Sequence, residues 1–148
     1  MSKIEIKSEI ETEPKIEPKT EPKIEPDKII LFIDDEYIIR QIVQVCVENF
    51  SKWKIKLSPS CEMALATIVT EKPDAILLDL MMPNMDGLTF FKKLQADAEL
   101  AKIPVVLLTS CTDITAQRDF TKIGFKGVID KPFEPIALTS QIAHILGW

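Results

Sequence analysis

The sequence contains little that could build a disulfide framework, a zinc site or a membrane span. Its three cysteines, Cys46, Cys61 and Cys111, lie inside apolar segments and lack the paired spacing of a metal motif or a disulfide scaffold. No apolar run approaches the roughly 18 residues that a membrane helix needs, and the first residues lack the apolar stretch of a secretion signal. We therefore expect a cytoplasmic protein in a reducing compartment.

The lysines and arginines are not grouped into the basic patch that nucleic-acid binding requires. The 18 lysines and arginines are outnumbered by 23 acidic residues, for a net charge of −5, and they form no basic stripe. The single histidine, His144, falls late in a predicted helix, where we expect a surface or packing role. What the chain does have is apolar side chains, 46% of its 148 residues, which is enough for one domain with a single core.

The first 26 residues differ in composition from the rest. From Glu13 to Pro26 a four-residue unit of Glu, Pro, Lys and Ile or Thr repeats. Proline at every fourth position excludes a helix, because each ring removes a backbone donor and clashes with the preceding turn. The isolated isoleucines cannot offset the entropy of ordering the segment. We predict a disordered Glu/Pro/Lys-repeat tail over 1–26, either a spacer or a docking segment, and a folded domain over 27–148.

The folded part shows five short apolar runs, each followed by a segment of helical period. Strict alternation of this kind predicts a parallel sheet with helices on both faces. In the first helix, Ile39, Ile42, Val43, Cys46 and Phe50 mark one face. The predicted strands are 29–33, 53–57, 75–79, 104–109 and 127–130, of which the second alternates like an edge strand. Ser58 is predicted to cap the second helix, with Pro59 at its first position.

Polar side chains follow four of the predicted strands. Asp34 and Asp35 come after the first, Asp79 ends the third, Thr109 ends the fourth and Lys131 follows the fifth. The carboxyl ends of parallel strands meet at one edge of a sheet. Crowded carboxylates raise one another's proton affinity, and a divalent cation such as Mg²⁺ relieves that repulsion. A carboxylate nucleophile beside a metal and a lysine indicates phosphoryl transfer, with Asp79 forming an aspartyl phosphate.

Four stretches, in their order and approximate spacing, resemble the receiver domain of two-component response regulators. They are LFIDDE at 31–36, ILLDLMMPNMDG at 76–87, VVLLTS at 105–110 and DKPF at 130–133. The resemblance covers the whole predicted domain. It implies an α/β, flavodoxin-like (βα)5 fold, which is a doubly wound parallel sheet with strand order 2-1-3-4-5.

The resemblance also implies roles for the acidic residues. Asp79 would be the phosphoacceptor. Mg²⁺ would be held by Asp34, Asp35 and Asp79 together with the backbone carbonyl of Met81, and Asp35 is the stronger candidate than Asp34 for a direct ligand.

A second set of roles concerns the switch. Thr109 would be the switch hydroxyl and Lys131 the phosphate partner, and the Lys131–Pro132 peptide is expected to be cis. The sequence departs from the family at Val128, where receiver domains usually carry an aromatic side chain that changes rotamer with the switch hydroxyl. A β-branched aliphatic side chain cannot swing in that way, so the usual aromatic readout is not expected.

The function implied is that of a stand-alone response regulator similar to the chemotaxis regulators. It would accept a phosphoryl group from a histidine kinase or phosphotransfer protein and then change its protein contacts. We do not expect an enzyme, because the protein would catalyse only its own phosphorylation and dephosphorylation. Because the sequence ends at Trp148, just after the last predicted helix, we expect output through protein contact, without nucleic acid or membrane. The alternatives are a phosphoryl sink, a scaffold that is not phosphorylated, and a phosphatase that acts on small molecules through an aspartyl phosphate.

Overall fold

The computed structural model describes residues 27–82, 87–110 and 114–148, with the backbone alone for 114–118. The predicted disordered tail lies outside the described residues. The first half of the domain comprises β1 (Ile29–Ile33), α1 (Tyr37–Phe50), β2 (Lys54–Ser58), α2 (Cys61–Glu71) and β3 (Ala75–Leu78). The second half comprises α3 (Gly87–Gln95), a 3₁₀ turn (Leu100–Lys102), β4 (Val105–Thr109), α4 (Ile114–Ile123), β5 (Gly127–Asp130) and α5 (Leu138–Leu146).

The strands form one parallel sheet in the order β2-β1-β3-β4-β5, which confirms the predicted topology. β2 is an edge strand as predicted, and the burial of its side chains alternates. β1, β3 and β4 are buried along almost their whole length, because helices cover both faces of the sheet. This double cover explains why these three strands read as continuous apolar runs.

The core consists of two clusters, one on each face of the sheet. Along β1, Ile30 and Phe32 join the cluster beneath α1 and α5, whereas Leu31 and Ile33 join the cluster beneath α2 and α3. Successive side chains of a strand point to opposite faces, so each central strand contributes to both clusters. The edge of the sheet formed by the carboxyl ends of the strands, called the rim below, is therefore flanked by packed core on both faces.

The predicted apolar face of α1 is only partly correct. Val43, Cys46 and Val47 are buried, but Ile42 and Phe50 are 37% and 51% exposed. The helix carries apolar residues on more than the one side that meets the sheet, so some of them must face outward. Those exposed on α1 are Tyr37, Ile38, Ile42, Val45 and Phe50.

The predicted cap of α2 is wrong by two residues. Ser58 is the last residue of β2, is buried, and its hydroxyl donates to the Ser60 carbonyl at 2.8 Å. Ser60 is the cap, because its Oγ accepts from the Met63 amide at 3.1 Å. The Ser-Pro-Ser stretch offers two serines before the same apolar run, and the length of β2 decides between them. None of the described helices is both long and apolar enough to cross a membrane.

Candidate functional site

The register of the central strands brings two aspartates together. Ile33 at the end of β1 lies opposite Leu78 at the end of β3, and the Asp79 amide donates to the Ile33 carbonyl at 3.0 Å. Asp79 is thus the first residue beyond β3, one position later than predicted. One carboxylate oxygen from each of Asp34, Asp35 and Asp79 lies within 4.8 Å of the other two.

The backbone holds two of these carboxylates in place. Asp34 is fully buried, and its Oδ1 accepts from the Glu36 amide at 2.9 Å. Asp79 is 3% exposed, and its Oδ1 accepts from the Met81 amide at 3.2 Å. Asp35 is exposed. The rim therefore presents two fixed, desolvated acids and one acid open to solvent.

Burial, and to a smaller extent crowding by the other acids, raises the proton affinity of Asp79. Burial is the largest cause, because it disfavours the charged form and raises the pKa of Asp79. The Met81 amide opposes this effect, as does Lys131, while the charges of Asp34 and Asp35 add to it. The net result is an Asp79 pKa above its ordinary value. The site thus favours any cation that neutralises the cluster.

Lys131 supplies part of that neutralisation. Its Nζ lies 2.7 Å from Asp34 Oδ2, 3.6 Å from Asp79 Oδ2 and 3.7 Å from Glu36 Oε1. Burial lowers the pKa of Lys131, but the hydrogen bond to Asp34 and the three negative charges outweigh it, so the net pKa is raised. The side chain therefore stays an ammonium. The Lys131–Pro132 peptide is cis, as predicted.

Thr109 is the last residue of β4. It lies opposite Asp130, the last residue of β5, which directly precedes Lys131. Its carbonyl accepts from the Lys131 amide at 2.8 Å, and the residue is fully buried. None of the described residues offers a hydrogen-bond partner to its Oγ1. A buried hydroxyl without a partner costs free energy, so the Thr109 hydroxyl remains available to an added hydrogen-bond acceptor.

Sequence reasoning missed Arg40. Its Nη1 donates to the Asp34 carbonyl at 2.7 Å, and its guanidinium lies over the Tyr37 ring at 5.7 Å. An arginine so near the start of α1 is a weak signal, because helix N-termini favour acidic side chains. Arg40 thus anchors the backbone of Asp34, the buried acid that pairs with Lys131.

The two remaining predicted positions have distinct surroundings. Met81 is 73% exposed beside the rim, and its carbonyl as a metal ligand stays a prediction. Val128 is half-buried on β5 opposite Leu107, and its side chain packs against the cluster beneath α2 and α3. Val128 is therefore part of the domain's packing.

The donor set suits a hard divalent cation. Carboxylate oxygens at this mutual distance are the ligands that Mg²⁺ prefers, and Mg²⁺ commonly keeps several waters beside one or two carboxylates. The raised pKa of Asp79 and the partnerless hydroxyl of Thr109 agree with a site built for further charge and further oxygen atoms. The residues that would hold Mg²⁺ are Asp34, Asp35 and Asp79.

The loop after Asp79 passes close to the start of α3. A Cβ on Gly87 would lie 2.7 Å from Leu80 Cδ2 and 3.1 Å from Leu80 Cα. We expect Gly87→Ala to lower the free energy of unfolding by about 1–2 kcal/mol, because overpacking forces a backbone shift. Urea unfolding measures this effect. In a Leu80→Ala background the cost of the glycine substitution should fall, and equal costs in both backgrounds would contradict the close contact.

A family comparison agrees with this geometry. The family model described as "Response regulator receiver domain" matches residues 30–143. The chain belongs to this family. Receiver domains generally bind Mg²⁺ at an acidic pocket and interact with histidine kinases and phosphotransfer proteins, so the acidic rim is the family's functional edge.

Curated relatives match over the receiver domain. The phosphate regulon transcriptional regulatory protein PhoB of Pseudomonas aeruginosa is 32% identical over 119 residues, which are 80% of this chain and 52% of that protein. Response regulator Rre1 of Synechocystis is 31% identical over 118 residues, 79% of this chain and 51% of that protein. The chain spans about half the length of these curated relatives.

Solved structures confirm the fold. The chemotaxis response regulator CheY4 of Vibrio cholerae superposes with a TM-score of 0.74 at 25% identity, covering 81% of this chain and 99% of that one. A response regulator from Chloroflexus aurantiacus superposes with a TM-score of 0.75 at 26% identity, covering 83% and 100%. The receiver fold accounts for the whole of both of these chains.

Proposed function

We propose that the chain is a response regulator that accepts a phosphoryl group on Asp79 and thereby changes its contacts with other proteins. The observation that carries the proposal is the constellation at the rim. A desolvated carboxylate, Asp79, lies among two further acids and 3.6 Å from the Lys131 ammonium. A histidine kinase or phosphotransfer protein would be the donor.

The chemistry follows from the side chains present. An Asp79 oxygen attacks phosphorus, forming an O–P bond, while the P–N bond to the donor histidine breaks and the imidazole leaves with its electron pair and takes up a proton. Bound Mg²⁺ would add positive charge beside the phosphoryl oxygens. Lys131 pairs with one of those oxygens, and the chain acts as a catalyst only on itself.

The readout would begin at Thr109. A phosphoryl oxygen on Asp79 offers an acceptor to its partnerless Oγ1, so the modified state is stabilised by a hydrogen bond that the unmodified state lacks. Val128 packs into the core and cannot relay this movement as a swinging aromatic ring would. The output therefore leaves through the backbone of the β4–α4 segment, or the domain serves as a phosphoryl sink.

The test uses a small donor. The full chain is incubated with acetyl phosphate in the presence of Mg²⁺ or EDTA, and its intact mass is measured. We expect one added phosphoryl group with Mg²⁺ and none with EDTA. Hydroxylamine should remove the group, because it cleaves acyl phosphates and leaves phosphate esters intact. An adduct that survives hydroxylamine, or none while the fold stays intact, would overturn the proposal.

The other readings predict different results in the same assay. A scaffold that is not phosphorylated would show no adduct, and a small-molecule phosphatase would consume donor in large molar excess without accumulating an adduct. A phosphoryl sink would show the adduct without a change in protein contacts. The Val128 packing favours the sink among these alternatives.

A further inference from the structure

The backbone and the side chain of Asp34 are both held by other residues. Its amide donates to the Ser58 carbonyl at 3.1 Å, and its carbonyl accepts from Arg40 Nη1 at 2.7 Å. Of its two carboxylate oxygens, one accepts from the Glu36 amide at 2.9 Å and the other from Lys131 Nζ at 2.7 Å. Asp34 is therefore fixed in place, and both of its carboxylate oxygens already have a donor.

The carboxylate of Asp35, the next residue, is not held in this way. Asp35 is exposed, and the hydrogen bonds that hold the carboxylates of Asp34 and Asp79 do not reach it. One of its oxygens nevertheless lies within 4.8 Å of an oxygen of each of the other two acids. The direction of this side chain towards the rim therefore has to be set by its backbone.

Each of the two peptide groups that flank Asp35 takes part in a hydrogen bond to a side chain. The peptide that follows Asp35 is held through the Glu36 N–H, which donates to Asp34 Oδ1. The peptide that precedes Asp35 is held through the Asp34 carbonyl, which accepts from Arg40. If this preceding peptide rotated, the φ angle of Asp35 would change and its side chain would point elsewhere. The bond from Arg40 opposes that rotation.

Helix geometry explains how Arg40 reaches a residue that precedes its own helix. Arg40 is the fourth residue of α1, and its amide donates to the Glu36 carbonyl at 3.1 Å. The Cα–Cβ bonds of a helix tilt towards its N-terminus, so a long side chain at this position extends back over the start of the helix. The Tyr37 ring, with its centroid 5.7 Å from the guanidinium, gives further support by a cation–π contact.

The charge of Arg40 does not account for its position. A cation near the start of a helix opposes the helix dipole, and a cation near the acidic rim repels a metal ion. None of the ion pairs among the described residues involves Arg40, so it does not neutralise the acids by direct contact. Its hydrogen bond to the Asp34 carbonyl remains, and this bond indicates a positioning role.

We propose that Arg40 is a positioning residue for the Asp35 carboxylate. By holding the peptide between Asp34 and Asp35, it keeps the Asp35 side chain directed at the rim and so raises the affinity of the rim for Mg²⁺. Residues that orient metal ligands typically contribute about 10–100-fold to metal affinity. The inference rests on the Mg²⁺ site of the proposed function but not on phosphoryl transfer, and it is tested without a phosphoryl donor.

The test is a Mg²⁺ titration of the full chain at constant ionic strength, followed by amide NMR. We expect Arg40→Met to weaken Mg²⁺ binding by about tenfold, because methionine keeps an unbranched side chain but has no N–H to hold the Asp34 carbonyl. If Arg40 acted only through its charge, the same substitution would tighten Mg²⁺ binding, since it removes a cation near the rim. The two explanations therefore predict opposite directions.

Two further variants separate the hydrogen bond from the charge. Lys131→Met removes a cation that pairs directly with the carboxylates of Asp34 and Asp79, so it should tighten Mg²⁺ binding. Arg40→Lys keeps the charge but must donate from a shorter side chain, so its Mg²⁺ affinity should lie between those of the wild type and Arg40→Met. In the metal-free protein, Arg40→Met should move the Asp34 carbonyl ¹³C resonance upfield, as loss of a hydrogen bond does.

Three outcomes would overturn the proposal. The first is unchanged or tighter Mg²⁺ binding by a folded Arg40→Met protein, which includes the case where urea unfolding shows a loss of stability alone. The second is a change in the same direction for Arg40→Met and Lys131→Met. The third is an Arg40→Lys protein that binds Mg²⁺ as tightly as the wild type, which also decides the matter if Arg40→Met does not fold. Failure of phosphorylation would leave all of these measurements intact.

Discussion

We expect Asp79→Asn to abolish the acetyl phosphate adduct. We expect a loss of about 10³-fold or more, because removal of a covalent nucleophile removes the reaction path itself. Asparagine has the same shape and keeps an oxygen that can accept from the Met81 amide. Of the neighbouring acids, Asp34 is held by Lys131 at 2.7 Å and is fully buried, so it is a poor substitute nucleophile. Intact-mass measurement over a time course gives the rate.

The free energy of unfolding of the Asp79→Asn protein serves as the control for its folding. Replacing one of three crowded carboxylates by a neutral group relieves repulsion, since burial and the neighbouring acids raise the Asp79 pKa. We therefore expect the free energy of unfolding in EDTA to rise by about 1 kcal/mol. Asp119→Asn, at an exposed acid on α4, should change neither quantity. Persistence of the adduct at the wild-type rate in a folded Asp79→Asn protein would place the phosphoacceptor elsewhere.

Lys131→Met should have the largest effect on stability at the rim. Its side chain is 14% exposed, and its ammonium neutralises Asp34 and Asp79. Removing one partner of a buried ion pair leaves uncompensated charge, at a typical cost of about 3–5 kcal/mol. We expect about 2–4 kcal/mol in EDTA, because solvent still reaches Asp35. Urea unfolding measures this loss.

Mg²⁺ separates this electrostatic effect from a packing effect. If Lys131 acts by charge, saturating Mg²⁺ should stabilise Lys131→Met more than the wild type, because the metal replaces part of the missing positive charge. Lys126→Met, at an exposed lysine before β5, is the matched control and should respond like the wild type. In the double variant with Asp34→Asn the cost should shrink by more than 1 kcal/mol, as expected for contacting residues. An unchanged cost with Mg²⁺ and in the double variant would mean that the lysine stem, not its charge, supports the rim.

Much of the fold followed from the sequence pattern. Buried parallel strands are continuous apolar runs, so β1 was predicted at its observed bounds, and the bounds of β3 and β4 differed by one residue. The edge strand β5 was also predicted at its observed bounds, whereas β2, predicted at 53–57, lies one residue later at Lys54–Ser58. The strand order came from the family resemblance. The identities of Asp34, Asp35, Asp79, Thr109 and Lys131 came from their positions at the ends of strands together with that resemblance. Each of these residues ends or directly follows a short apolar run, so the neighbouring sequence is enough to locate it.

The sequence pattern gave a wrong cap for α2 and a partly wrong buried face for α1. Ser58 and Ser60 are equivalent as capping residues, and only the pairing of β2 with β1 as far as Ser58 assigns the cap to Ser60. In α1 the apolar residues cover more than one side. Which of them are buried depends on how the helix lies on the sheet, and this left Ile42 and Phe50 exposed.

The sequence by itself determined which chemical groups this protein places at the ends of its strands, because the spacing of apolar residues locates the strands along the chain. The order of the strands in the sheet came from the family resemblance. The tertiary structure alone decided their electrostatics. The 2.7 Å contact between Lys131 and Asp34 joins residues that are 97 positions apart along the chain. The contact of Arg40 with the Asp34 carbonyl, and the burial of a Thr109 hydroxyl that has no partner among the described residues, likewise depend on how the elements pack. Charge–charge free energies depend on separation and burial, and both are properties of the packed domain.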